Sequence, residues 1–177
     1  MLEALVSSKT RIKLLLKFFI NPAIKAHLRE IANEFGESTN GIRLELNRLN
    51  EAGLLIAKAE GKTIRYQANN QHPLFPELKA IVGKYTGIDQ LVQRVFARLG
   101  DLDAAYVVGD FAAGRDTGII DVILIGSLNL DTLQHLTKKA ETLSHRKLRT
   151  LVLTDQEWLE LYARGTLGPT LLVWQRD

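Results

Sequence analysis

Two amphipathic helical segments separated by about three residues constrain the fold of this chain most. The first segment has an apolar face made of Leu28, Ile31, Ala32 and Phe35. It ends at Gly36, a residue type that readily adopts the left-handed conformation that terminates a helix. Ser38 is a good N-cap for the second segment, whose buried stripe consists of Ile42, Leu46 and Leu49. Two helices joined by so short a turn predict a helix-turn-helix.

A further helix is predicted before this pair and a β-hairpin after it. Apolar residues at helical spacing define the preceding helix: Ile12, Leu15, Leu16 and Phe19. This helix has candidate caps at Ser7 and Ser8 and stops at Asn21, because a following proline disfavours helical geometry. Residues 54–59 and 63–68 are predicted strands joined by a turn around Gly61. Residues 1–70 therefore form a predicted winged helix-turn-helix domain.

The sequence LNEAGLL at 49–55, followed by Gly61 and by Arg65-Tyr66, closely resembles winged helix regulators of the ArsR-like group. The resemblance covers about 60 residues. It implies binding to double-stranded DNA and a transcription-regulating function. Metal-sensing members of that group use cysteines or histidine clusters. This chain has no cysteine, and its four histidines (27, 72, 135 and 145) include no pair at i, i+4 spacing, so we expect no metal site here.

The outward face of the third helix and the hairpin supply the candidate DNA contacts. Arginine pairs with guanine and asparagine with adenine, and lysine or arginine holds phosphates. The candidate DNA-binding residues are Ser38, Thr39, Asn40, Arg43, Asn47, Arg48, Lys58, Lys62 and Arg65. Leu44 also points outward, and it either touches a thymine methyl group or packs beneath a neighbouring element. Outside a complete helix-turn-helix and wing, such residues would be read as an ordinary solvated face.

Charge and composition agree with this assignment. Residues 1–70 contain 11 Lys and Arg against 7 Asp and Glu, whereas residues 101–177 contain 8 against 11. Only the front of the chain is therefore expected to meet a polyanion. The chain begins without the basic start and apolar run of a signal peptide, and its apolar stretches are too short to cross a membrane. We expect a cytoplasmic protein with no membrane association and no cofactor.

Residues 71–100 are predicted to be a helical connector. A proline-punctuated turn at 72–76 is followed by two helical stretches that Gly87 separates. The second of these runs from Ile88 to Leu99. The apolar faces of both stretches either pack against the rear domain or join two protomers. Because winged helix regulators usually bind half-sites as dimers, we expect a homodimer.

Residues 101–177 follow a mixed pattern of strands and helices. Strands are predicted at 104–108, 120–125, 148–153 and 170–174, with helices at about 130–143 and from Thr154 to Tyr162. Thr154 and Glu157 form the capping box of the second helix. The whole chain is therefore expected to be α+β, with an α/β domain at its C-terminal end.

The segment VGDFAAGRDTGIIDVILIG at 108–126 resembles the signature of small nucleotidyltransferases related to DNA polymerase β. In that family a strand ends in Gly-Ser, a Phe-Ala-x-Gly turn follows, and the next strand carries Asp-x-Asp. The family's two carboxylates, with a third on a later strand, bind two metal ions. Here Asp110 stands at the serine position, Asp121 at the second carboxylate and Ile119 at the first.

The strand at 147–152 offers no third acid, so this sequence keeps the frame of the family without its metal ligands. We expect no catalytic residues and no enzymatic activity. The former cleft, formed by Gly109, Asp110, Gly114, Arg115 and Asp121, is a possible site for a small polar ligand or a partner's charged tail. The alternative is that Gly109 and Gly114 only satisfy turn geometry.

The residues thus favour a DNA-binding transcriptional regulator with an inactive, nucleotidyltransferase-like sensing or interaction domain. One alternative is an active nucleotidyltransferase that a winged helix directs to its substrate. Another is an adaptor whose winged helix docks to protein, against which the basic wing and Arg43 count.

Overall fold

The structure, a computed structural model, describes residues 2–176, and at positions 90, 93, 94, 97 and 143 it describes the backbone alone. The chain divides into two compact units, Met1–Tyr85 and Thr86–Asp177. The two predicted helices of the connector therefore fall in different units. Both units combine helices with a sheet, which confirms the mixed α+β class.

The front unit contains helices around a three-stranded antiparallel sheet of order β1-β3-β2. Its elements are α1 (Leu2–Leu5), α2 (Lys9–Ile20), β1 (Lys25–His27), α3 (Leu28–Phe35), α4 (Thr39–Glu51), β2 (Leu55–Glu60), β3 (Thr63–Ala68) and α5 (Phe75–Thr86). The order of helix, short turn, helix and hairpin is the one that the sequence predicted. Strand β1, which pairs with β3, was not predicted.

Local chemistry sets the ends of these helices. The side chain of Ser8 accepts a hydrogen bond from the amide of Arg11 and caps α2. Gly36 closes α3 at φ 63°, a left-handed conformation that costs glycine little. Ser38 caps α4 by accepting from the amide of Gly41. The turn between α3 and α4 is therefore specified by a residue suited to end one helix and a residue suited to begin the next.

The core of the front unit is built from apolar side chains on the inner faces of α2, α3 and α4 and of the sheet. The largest of them that are almost fully buried are Leu14, Phe18, Phe19, Ile31, Ile42, Leu46 and Leu55. Helix α5 adds Phe75, whose ring lies 5.7 Å from that of Phe19. The predicted stripe of α4 is thus buried, and its opposite side faces solvent.

The rear unit is built on a four-stranded sheet of order β6-β5-β4-β7, in which β5 and β6 are parallel and the other pairs antiparallel. Its elements are α6 (Ile88–Arg94), β4 (Leu102–Val108), α7 (Gly109–Ala112), β5 (Ile119–Gly126), α8 (Leu130–Ser144), β6 (Lys147–Leu153), α9 (Asp155–Ala163) and β7 (Thr170–Gln175). The helix predicted from Ile88 to Leu99 is shorter, because it ends at Arg94 and a 3-10 turn covers Phe96–Arg98.

The two faces of this sheet are covered differently. Successive side chains of a strand alternate between faces, and on one face Val107, Ile120 and Leu124 are completely buried. On the other face Trp158 of α9 stacks on Tyr106, with ring centroids 4.3 Å apart. Alternation places Asp121 and Arg149 on this second face as well, towards the end of the sheet where β5 begins. The Arg149 side chain is 68% exposed there, so this end of the face stays open to solvent.

In the described part of the chain, no helix is both long and apolar enough to span a membrane.

A very close backbone approach involving a glycine occurs at the end of β5. Gly126 has φ 142°, and a Cβ atom there would lie 2.1 Å from the carbonyl oxygen of Asp101. Gly165 has φ 64° with open space around it, so it serves as a matched control.

We expect Gly165→Ala to cost about 1–2 kcal/mol, the strain of a left-handed residue. Gly126→Ala should cost about 1–3 kcal/mol more, because the backbone must shift to accept the methyl group. Denaturant unfolding followed by the fluorescence of Trp158 and Trp174 measures both variants. Equal losses of unfolding free energy in the two variants would show that the backbone at the end of β5 accommodates the methyl group at no cost.

Candidate functional sites

The outward face of α4 brings together most of the predicted DNA-binding residues. Asn40, Arg43, Leu44, Asn47 and Arg48 are all exposed on this face, together with Thr39. Ser38 has a different role, since its hydroxyl is engaged in capping the helix. The side chains that point to solvent combine amide and guanidinium groups, which are the groups that read base edges.

Some basic side chains of the predicted interface are already paired with a carboxylate, and others are not. Arg48 donates to Glu45 of the same helix at 3.1 Å, and Arg65 donates to Glu60 at 2.7 Å. For Arg43, Lys58 and Lys62, the described residues include no ion-pair partner. A polyanion would therefore meet unpaired charge at these three positions first.

Two of the three basic residues of the hairpin share one face of the sheet, and the third lies in the turn. Lys58 lies opposite Arg65 in the β2–β3 register, and His27 of β1 lies on the other side of Arg65. These three residues share the sheet face opposite to the one that carries buried Tyr66. The structure thus places Lys58 and Arg65 on the sheet face that points away from the core, and Lys62 in the turn of the hairpin.

Arg43 lies close enough to the hairpin for its charge to act on Tyr66. Burial raises the pKa of the Tyr66 hydroxyl above its ordinary value, and the positive charge of Arg43 partly opposes that shift.

Three carboxylates of the helix-turn-helix accept hydrogen bonds from the cations of α2. Lys17 binds Glu34 at 2.7 Å, Lys13 binds Glu37 at 2.7 Å, and Arg11 binds Glu45 at 2.8 Å. Sequence reasoning missed these pairs, although each removes one positive and one negative charge and leaves the excess of positive charge in residues 1–70 unchanged. The sequence does show basic residues repeated along α2, but the acids that pair with them lie 17 to 34 residues away.

Glu45 is the most enclosed of these acids, with a side chain 8% exposed. Burial raises the pKa of its carboxyl, but hydrogen bonds from Arg11 and Ser8 and the charges of Arg11 and Arg48 outweigh that effect, and the pKa falls below its ordinary value. The pKa of Glu37 is lowered in the same way, with burial opposed by Lys13 and Thr10. Both acids therefore stay ionised in the folded protein at neutral pH.

In the rear unit, four of the five predicted cleft residues lie close together, namely Gly109, Asp110, Arg115 and Asp121. A Cβ atom on Gly109 would lie 3.3 Å from a carboxylate oxygen of Asp121, so the turn after β4 passes directly over that side chain. Arg115 donates through its Nε to Asp110 at 3.0 Å. The amide of Gly114 donates to the carbonyl of Phe111, and that of Arg115 to the carbonyl of Asp110. These two amides are thus used within the turn, which agrees with a turn-forming role for Gly114.

The partner of Asp121 is Arg149, which sequence reasoning did not single out. The Nε and a terminal nitrogen of Arg149 donate to the two carboxylate oxygens of Asp121 at 2.5 and 2.7 Å. Asp121 and Arg149 are direct neighbours in the parallel β5–β6 register. The hydrogen bonds and negative charge of Asp121, followed by the charge of Asp110, raise the pKa of Arg149. The informative residue of this strand is a base, whereas the family resemblance draws attention to acids.

No group of three or more His, Cys, Asp and Glu side chains placed to hold a metal ion occurs among the residues that the structure describes.

Comparison with known proteins gives a weak likeness. No family model matches the sequence, and no curated protein matches it. Among solved structures, the chain is similar to reduced HlyU from Vibrio cholerae N16961, with 18% sequence identity and a TM-score of 0.36. The likeness covers 46% of this chain and 77% of HlyU. Conclusions about function therefore rest on the residues of this chain.

The lowered pKa of Glu45 makes the front unit sensitive to acid. A carboxyl whose folded pKa lies below its unfolded value of about 4.5 stabilises the fold above that pH, and the contribution is lost as pH falls through the folded pKa. We expect Glu45→Gln to weaken the front unit by about 1–3 kcal/mol at pH 7 and to flatten its loss of stability below pH 4.5. Hydrogen exchange of the α4 amides from pH 7 to pH 3 measures both effects.

Glu51→Gln is the matched control, because Glu51 lies exposed at the end of the same helix. It should leave the pH profile unchanged. Parallel profiles for wild type and Glu45→Gln would contradict the role given to this carboxylate.

Proposed function

We propose that this chain is a DNA-binding transcriptional regulator whose front unit is a winged helix domain. The observation that carries the proposal is the outer face of α4, where Asn40, Arg43 and Asn47 stand exposed. Above a buried stripe that fixes the helix in the domain, such a face suits insertion into the major groove of duplex DNA.

Within this proposal, the residues divide into base-reading and phosphate-binding groups. Arg43 has no carboxylate partner among the described residues and is the first candidate for a bidentate contact to guanine. Lys62, in the hairpin turn beside Gly61, is placed to reach a flanking phosphate. Leu44 is 53% exposed between the polar side chains, which favours contact with a thymine methyl group.

The proposed regulator acts as a cytoplasmic homodimer that reads two half-sites. The front unit carries apolar side chains that its own core leaves exposed, namely Leu5, Leu74 and Ile81. Tyr85 of α5 donates to Glu3 of α1 at 2.6 Å, so the helices that carry Ile81 and Leu5 are in contact. Covering such side chains with a second copy would remove apolar area from water.

For the rear unit we propose a nucleotidyltransferase-like domain without catalytic activity. The strand, turn and strand around Gly109 and Asp121, with β6 next to β5, support the family resemblance. The residues do not fit the metal ions of that family, because the strand neighbour of Asp121 is Arg149 and position 119 is isoleucine. The remaining polar groups, Asp110, Arg115 and Asp121, suit a small polar ligand or a charged segment of a partner.

Binding to duplex DNA should weaken steeply with salt, because phosphate contacts release counterions. Arg43→Ala should cost about 1–3 kcal/mol on an operator selected from random duplexes, and Lys62→Ala should reduce the salt slope by about one. Arg48→Ala should cost less than Arg43→Ala, because Arg48 is already paired with Glu45. Fluorescence anisotropy over a salt series gives all three values.

Lys139→Ala, an exposed lysine on α8 in the rear unit, controls for the loss of one positive charge. It should leave operator binding unchanged. If Arg43→Ala and Lys62→Ala both bind the operator as wild type does, α4 is not the recognition helix.

The rear unit should transfer no nucleotide. Purified full-length protein, incubated with Mg²⁺ or Mn²⁺ and labelled nucleoside triphosphates, should label neither itself nor added RNA or protein. Turnover that Asp121→Asn abolishes would establish the alternative, an active nucleotidyltransferase.

A further inference from the structure

Three elements of the rear unit bring charged groups to one end of the open sheet face. Helix α7 contributes Asp110, β5 contributes Asp121, and β6 contributes Arg149. Gly109 allows this arrangement, since its backbone passes so close to Asp121 that a side chain there would crowd the carboxylate. The cluster joins residues far apart in the sequence, so the fold itself assembles it.

The contact between Arg149 and Asp121 is specific in its geometry. Two nitrogens of one guanidinium face two oxygens of one carboxylate, at 2.5 and 2.7 Å. Such paired hydrogen bonds fix orientation as well as charge. The two backbones are adjacent in a parallel ladder, which places the two side chains within reach of each other.

We propose that Arg149 is the resident cation of this cluster and keeps divalent metal ions out of it. The inference rests on the proposed nucleotidyltransferase-like rear unit, in which related enzymes would hold metal ions at this point. Here the positive charge is supplied by the chain itself, so the two carboxylates are neutralised without an ion from solution.

Arg149 already uses the carboxylate oxygens that a metal ion would need. Mg²⁺ and Mn²⁺ are held by oxygen ligands, and the two oxygens of Asp121 already accept hydrogen bonds from the guanidinium. A divalent ion placed there would also sit within a few ångströms of a fixed positive charge, which repels it. Two nitrogens of Arg115 donate to one oxygen of Asp110, so the second carboxylate also lies beside a positive charge.

The charge of Arg149, rather than its bulk, is the quantity to test. Arg149→Gln removes the charge and keeps a long polar side chain, whereas Arg149→Lys keeps the charge and loses the paired hydrogen bonds. Lys147→Gln is the matched control, because Lys147 lies on the same strand and face and its side chain is 78% exposed. Arg149→Gln combined with Asp121→Asn tests whether Asp121 is the ligand.

Full-length variants are titrated with Mn²⁺ and followed by electron paramagnetic resonance, which reports bound ion directly, and by thermal unfolding. Wild type, Lys147→Gln and Arg149→Lys should bind no Mn²⁺ at this cluster. Arg149→Gln should bind Mn²⁺ with a roughly millimolar dissociation constant and gain melting temperature from it. The double variant should lose both gains.

Mn²⁺ binding by wild type that equals that of Arg149→Gln would overturn the inference, as would Arg149→Gln that binds none. Binding by Arg149→Lys would show that charge does not exclude the metal. If Arg149→Gln folds poorly, Mn²⁺ should restore its folding, and failure to do so counts against the inference. Nucleotide transfer by wild type would instead refute the proposed inactivity, so the two failures remain distinguishable.

Discussion

Pairing of the α2 cations with the acids of the helix-turn-helix is the constraint on which the front unit depends. Lys17 is almost fully buried, and an ionised lysine can remain there only with a partner, which Glu34 supplies. Glu37 and Glu45 repeat the arrangement at the turn and on α4. Because each pair joins α2 to a different part of the motif, the position of α4 is fixed in relation to its neighbours. The outer face that the domain presents follows from this inner arrangement.

The same physical rule governs the rear unit with a different result. There the pairs Asp121–Arg149 and Asp110–Arg115 lie at the surface, at an open end of a sheet, and in our proposal they exclude metal ions. Counting charges along the sequence describes neither unit well. In the front unit, three cations and three acids pair with one another, so the excess positive charge belongs to other residues. In the rear unit, a segment that is acidic overall places Arg149 beside Asp121.

Features that depend on neighbouring residues were predictable from the sequence. Ser8, Ser38 and Gly36 set helix ends through contacts within a few residues, so α2, α3 and α4 were predicted closely. Strand β1 was missed because three residues have no periodicity, and its strand character comes from pairing with β3, some 40 residues away. The break after Arg94 and the Arg149 contact with Asp121 were missed for a similar reason. They depend on tertiary neighbours that no local pattern reveals.

Glu45 has a consequence that extends beyond the stability of the front unit. Its carboxylate is shared between Arg11, which belongs to the interior arrangement, and Arg48, which belongs to the outer face. Any anion that draws Arg48 away competes with this carboxylate and leaves Glu45 more dependent on Arg11. The coupling is reciprocal. If anion binding by Arg48 changes the free energy of the contact between Arg11 and Glu45, then a change in that contact alters the free energy of anion binding by the same amount. One shared carboxylate thereby links the interior of the domain to the chemistry at its surface.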